Sequence, residues 1–122
     1  TNESGHTLNA SGSSYGITLG GSWSNAGTYT AQTSSVTFNS TSTGLTIDPG
    51  SSPFYKLATI GSGAWSTSAH PVTVSSTAVL SGGSFTVAPG SSMTVAGSLT
   101  VSASGALALD ADLGLSGSAS AA

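Results

Sequence analysis

The side chains able to do chemistry are few. His6 and His70 are the two imidazoles, Glu3, Asp48, Asp110 and Asp112 the carboxylates, and Lys56 the one basic residue, with Arg and Cys absent. A general base needs a partner that orients it. No sequence feature supplies one to His6, which stands in a Gly- and Ser-rich stretch, or to His70, where His70-Pro71 reads as a turn entering Val72-Thr73-Val74. Serines abound, but no G-x-S-x-G elbow occurs, and Gly61-Ser62-Gly63 reads as a loop. Asp110 and Asp112 alternate, so on a strand they share a face and could offer oxygens to a hard cation. Two carboxylates fall short of the roughly six to eight oxygens of a calcium shell. They read instead as solvated charges that discourage unwanted pairing at a strand edge. Asp48 precedes Pro49 and reads as turn chemistry, and Glu3 has no assigned role. The expectation is no enzyme, with no catalytic residue, no metal ligand and no cofactor.

Composition narrows the classes further. Of the 122 residues, 37% are hydrophobic, enough for a core, but only 4% are charged, against about a quarter in ordinary domains. Nucleic acid is excluded as a partner, because phosphate neutralisation needs clusters of Lys and Arg. The absence of Cys removes disulfides, and no apolar run approaches the ~20 residues of a membrane span. An exterior of hydroxyls rather than charges predicts a secreted or cell-surface protein, and the opening on Thr1 fits either loss of a leader or a trimmed chain. Asn2-Glu3-Ser4, Asn9-Ala10-Ser11 and Asn39-Ser40-Thr41 are N-x-[ST] sequons, making Asn2, Asn9 and Asn39 candidate glycan sites. Trp23 and Trp65 have the rings to stack on sugars, but both lie in the bulkier half and are expected to fill the core. The Thr-x-Thr arrangement of an ice-binding face occurs once, at Thr28-Tyr29-Thr30.

The elements that must carry these residues are strands. Apolar and small residues alternate throughout, as in strands and not in linkers, and no stretch has helical periodicity. Strands are expected at 15–19, 27–32, 35–39, 44–48 and 54–60. Triplets follow at Phe85-Thr86-Val87, Met93-Thr94-Val95, Leu99-Thr100-Val101, Leu107-Ala108-Leu109 and Leu113-Gly114-Leu115. Phe85, Leu99 and Leu113 are fourteen residues apart, as are Val79, Met93 and Leu107, and "LTIDPGSSP" at 45–53 returns as "FTVAPGSSM" at 85–93. Stacked in parallel, such triplets would put Phe85 over Leu99 over Leu113, each coil burying what it cannot bury alone. The coil length stays open between fourteen residues with two sides and twenty-odd with three. Aromatics crowd the first half, so the stack should taper toward the C-terminus. The competing architecture is a β-sandwich with an exchanged N-terminal strand.

The phrase Trp23, Asn25, Gly27, Thr28 and Tyr29, then Val36-Thr37-Phe38-Asn39, then Phe54-Tyr55-Lys56-Leu57, runs into the train of triplets. Over residues 21 to 115 this resembles the right-handed β-helical repeat regions of secreted and cell-surface bacterial and archaeal proteins. The resemblance implies an all-β, right-handed parallel β-helix (a β-solenoid) of the kind found in adhesin-like and surface-layer proteins. The expected organisation is a flexible segment at 1–14 able to reach another subunit, a β-repeat domain at 15–116 and a tail at 117–122. The expected function is a non-catalytic subunit of an extracellular microbial fibre, filament or sheath whose partners are copies of itself and covalent glycans. Tyr15, Ile17 and Leu19 are the candidate donated strand, and Leu107, Leu109, Leu113 and Leu115 the receiving end. The alternative is a carbohydrate-binding or adhesive module of a larger surface protein.

Overall fold

The computed structural model describes residues 1–121 as strands and turns with no helix, and its parallel sheets stack as a β-solenoid of about five turns. Each coil has three sides. A short leading arc places Asn2 and β1 (Thr7–Asn9) on the stack. The first full coil is β2 (Gly16–Leu19), β3 (Trp23–Ser24) and β4 (Thr28–Thr30). The second is β5 (Ser35–Asn39), β6 (Leu45–Asp48) and an isolated bridge at Phe54. The third comprises β7 (Lys56–Ile60), β8 (Ala64–Thr67) and β9 (Val72–Val74), and the fourth β10 (Ala78–Leu80), β11 (Gly83–Val87) and β12 (Ser92–Val95). The last is β13 (Leu99–Val101), β14 (Gly105–Leu109) and β15 (Asp112–Leu115), after which β16 (Ala119–Ala121) begins another turn.

Side one is a six-stranded sheet in the order β16-β13-β10-β7-β5-β2, and side two a five-stranded sheet β14-β11-β8-β6-β3. Side three carries β15-β12-β9 and β1-β4, with the Phe54–Val74 bridge between them. Every pairing is parallel and in register. Val36 pairs with Leu57, Leu57 with Ala78 and Ala78 with Leu99, twenty-one residues at each step. The coil is therefore three-sided and about twenty-one residues long.

This corrects the fourteen-residue columns. Phe85 lies on side two over Trp65 and under Leu107, Leu99 on side one beside Ala78 and Ala119, and Leu113 on side three beside Met93. The physical reason is that an inward pair recurs once per side, so fourteen residues advance two sides rather than one coil. Val79 in fact points outward, between buried Ala78 and Leu80. The forty-residue echo does mark the stack, because Leu45 pairs with Trp65 and Trp65 with Phe85, two coils on. Both copies of its Pro-Gly turn the same corner, with Gly50 at φ 60° and Gly90 at φ 81°, a region that glycine enters freely.

Inward residues form one continuous core from Ala10 to Leu99. In its first half Trp23 meets Tyr29 and Phe54 with ring centroids 5.0 and 5.3 Å apart, and Phe38 links Phe54 to Trp65 at 6.3 and 6.2 Å. Edge-on pairs of this kind add to simple burial. Beyond Phe85 the core continues in Val, Leu, Met and Ala, so bulk thins toward the C-terminus while coil length stays near constant. The hydroxyl and amide side chains enclosed with it are matched, the two indole N–H groups excepted. Tyr29 and Ser34 hydroxyls lie 2.8 Å apart, Asn25 Nδ2 donates to the Pro49 carbonyl at 3.0 Å, and Thr59 Oγ1 donates to the Gly82 carbonyl at 3.0 Å. Burial raises the Tyr29 phenol above its ordinary pKa, with the Ser34 bond offsetting part of that rise.

Candidate functional site

A stack of parallel coils has two ends, and the residues singled out for assembly lie at them. At the N-terminal end Ile17 and Leu19 point inward from β2 and pack half-buried on the core. They pair within their own chain, Ile17 with Val36 and Leu19 with Phe38. The strand expected to reach a neighbour is thus taken up at home, and Tyr15, just outside it, is 64% exposed. Residues 1–14, read from sequence as a segment apart from the repeat, also join the stack. Asn2 N–H donates to the Ser24 carbonyl, β1 pairs with β4, and Ala10 N–H donates to the Thr30 carbonyl. Leu8, Ile17, Leu19 and Trp23 frame a mouth of about 250 Å³ at this end.

At the other end, among the described residues, β14, β15 and β16 each have a neighbour on one flank only. Leu107 and Leu113 are half-buried against the core, whereas Leu109 and Leu115 are 48% and 39% exposed. The structure therefore gathers Leu107, Leu109, Leu113 and Leu115 on one terminal rung. Their inward positions continue the buried columns of Phe85–Val87 and Met93–Val95. The tail expected at 117–122 contributes β16, which pairs with β13.

No known family model, curated protein or solved structure matches the chain.

The remaining candidates are dispersed. Asp110 and Asp112 are exposed on the last coil, Asp110 at the corner before β15 and Asp112 as the first residue of that strand. Among the described residues no group of three or more His, Asp or Glu is placed to hold a metal. Trp23 and Trp65 are 7% and 1% exposed, and their indole N–H groups are enclosed without a partner among the described residues, so neither ring is a platform for sugar. Of the sequon asparagines, Asn9 and Asn39 are exposed. Asn2 is engaged, its Nδ2 donating to Asn25 Oδ1 at 2.8 Å and the Thr28 carbonyl at 3.0 Å.

One pairing was invisible in the sequence. His70 Nδ1 lies 2.7 Å from Asp48 Oδ1, across one coil, and His70 is 57% exposed. Burial tends to raise the Asp48 pKa, but the Gly50 N–H, the His70 ring and the Ser68 hydroxyl outweigh it and hold the carboxyl below its ordinary value. Ser91 Oγ donates to the His70 carbonyl at 3.1 Å, tying the same corner to the next coil. An oriented imidazole is one part of a base-catalysed site. Here its visible role is to clamp neighbouring turns. The signal that would have found it is the coil length, since Asp48 and His70 stand twenty-two residues apart.

Proposed function

We propose that the chain is a non-catalytic structural subunit of an extracellular microbial fibre, filament or sheath, assembled by pairing of β-edges between copies. The observation that carries the reading is the character of the two ends. Among the described residues each presents parallel edge strands and apolar side chains that are exposed or half-buried, Leu8, Ile17 and Leu19 at one and Leu109 and Leu115 at the other. Exposed edges of this kind are templates for another chain, and contacts between two unlike ends propagate rather than close. Pairing supplies backbone hydrogen bonds, and covering the leucines removes apolar surface from water at about 25 cal/mol per Å². The hydroxyl-rich, charge-poor exterior supports placement outside the cell, where a glycan on exposed Asn39, on an inner coil, would leave both ends free. The carbohydrate-binding alternative loses its anchors with the burial of both tryptophans.

Sedimentation velocity and negative-stain microscopy of the 122-residue protein test the reading. It predicts linear polymers that shorten or vanish in Leu109→Asp, a change at a half-exposed position that leaves the fold intact by circular dichroism. A monomer at millimolar concentration, indifferent to that substitution, refutes it.

A further inference from the structure

Resting on that self-assembly reading, we infer that the joint continues the side-one sheet from copy to copy, β16 of one against β2 of the next, with Ala119 over Ile17, Ser120 over Thr18 and Ala121 over Leu19. Three observations select this arrangement over exchange of a strand. First, β2 already fills its own place. Releasing it for donation would strip Ile17 from Val36 and Leu19 from Phe38 and open a core whose members are fully buried. Second, β2 and β16 are the two outer strands of the same sheet, and the columns between them are unbroken. One runs Ile17, Val36, Leu57, Ala78, Leu99, Ala119 and the other Leu19, Phe38, Thr59, Leu80, Val101, Ala121. A copy added at the end repeats a pairing the chain makes five times within itself. Third, the two ends differ in size where they would meet. The N-terminal rung offers Ile17 and Leu19 beside its mouth, and the C-terminal strand of that side offers two alanines. Large side chains set over small ones fill the space without overpacking.

The outward residues follow the same rule. Thr18 faces out beside Thr37, and Ser120 Oγ donates to Thr100 Oγ1 at 3.3 Å, so stacking would continue a hydroxyl row across the joint. Side one has six rungs, and at ~4.8 Å per rung each subunit would advance the polymer by roughly 29 Å.

The absence of native cysteine makes a direct test available. Thr18→Cys and Ser120→Cys, combined in one chain, would place two thiols on adjacent parallel strands, within the ~4.4–6.8 Å Cα separation that a disulfide spans. Mild oxidation of assembled protein should give a ladder of covalent oligomers on a non-reducing gel. Thr46→Cys with Ser120→Cys, which pairs side two with side one, should give none. Polymers that form but do not ladder in the Thr18/Ser120 variant overturn this joint and leave self-assembly standing. Absence of both polymer and ladder, in wild type and variant alike, overturns both. A ladder from the Thr46/Ser120 control equal to that from Thr18/Ser120 also overturns the register.

Discussion

Replacing Phe54 with alanine should be among the most damaging single changes in the molecule. The ring is fully buried and touches three others, with centroids 5.3 Å from Trp23, 6.0 Å from Tyr29 and 6.3 Å from Phe38. It also sits where side three is thinnest, joined to Val74 by a single bridge, so little backbone pairing stands ready to hold a cavity closed. A buried Phe→Ala change typically costs about 3–5 kcal/mol, and the loss of three aromatic contacts, each worth about 0.5–1.5 kcal/mol, places Phe54→Ala toward the upper end. At about 4–8 °C per kcal/mol for a domain of similar size, the midpoint should fall by roughly 15 °C or more. The comparison is Leu109→Ala, 48% exposed on the last coil, where removing half of a leucine's burial should cost under ~1.5 kcal/mol. Urea unfolding followed by tryptophan fluorescence reads both, since Trp23 and Trp65 flank the aromatic row. An unchanged slope with denaturant confirms that stability and not the unfolding unit has changed. If Phe54→Ala costs no more than Leu109→Ala, the claim that aromatic stacking stabilises the first coils is wrong.

Glycine substitutions separate two causes. Gly83→Ala should destabilise more than Gly90→Ala, because both have positive φ but an added Cβ at Gly83 meets the Gly63 carbonyl while at Gly90 it meets open space. Gly90→Ala should cost about 1–2 kcal/mol, the strain of left-handed backbone alone, and thermal melts of the two variants read the difference. Acid should weaken the fold through Asp48. Its folded pKa is depressed, so its contribution is present above the unfolded value and is lost as pH falls through the folded one. Asp48→Asn should flatten that acid limb in melts taken from pH 6 downward, and an unaltered limb would contradict the assignment. Assembly should strengthen with salt, since Glu3 at one end and Asp110 and Asp112 at the other bring like charges together across the joint. Light scattering at about 10 mM and 0.5 M ionic strength, where the screening length falls from ~30 Å to a few ångströms, checks this.

Which features could be read from residues alone follows from what each one repeats. The alternation in Leu99-Thr100-Val101 announces a strand with two inward positions, and the strands at 35–39 and 45–48 stand where their patterns place them. Coil length was hidden because the three sides use the same small vocabulary, so a triplet carries no mark of its side. The corners carry that mark. Gly63, Gly83 and Gly105 stack where side one turns into side two, and Gly97 and Gly117 stack twenty residues apart, each where a side chain would strike the carbonyl of the coil beneath. Strands β3 and β8 escaped because Trp23-Ser24 is too short to alternate and because Thr67, a polar residue, points inward to accept a bond from Ala88 N–H. The opening residues read as loose by their Ser, Gly and Asn content. They are held instead by backbone bonds and by Asn2 reaching Asn25, a contact that needs the fold already formed.

The spacing along the polymer axis bears on the central claim most directly. Aligned filaments examined by fibre diffraction, with the subunit repeat from helical reconstruction, should give a meridional reflection at ~4.8 Å and an axial rise of roughly 29 Å per copy. A subunit rise that is not close to six rungs, or strands running along the filament instead of across it, would contradict end-to-end stacking of coils.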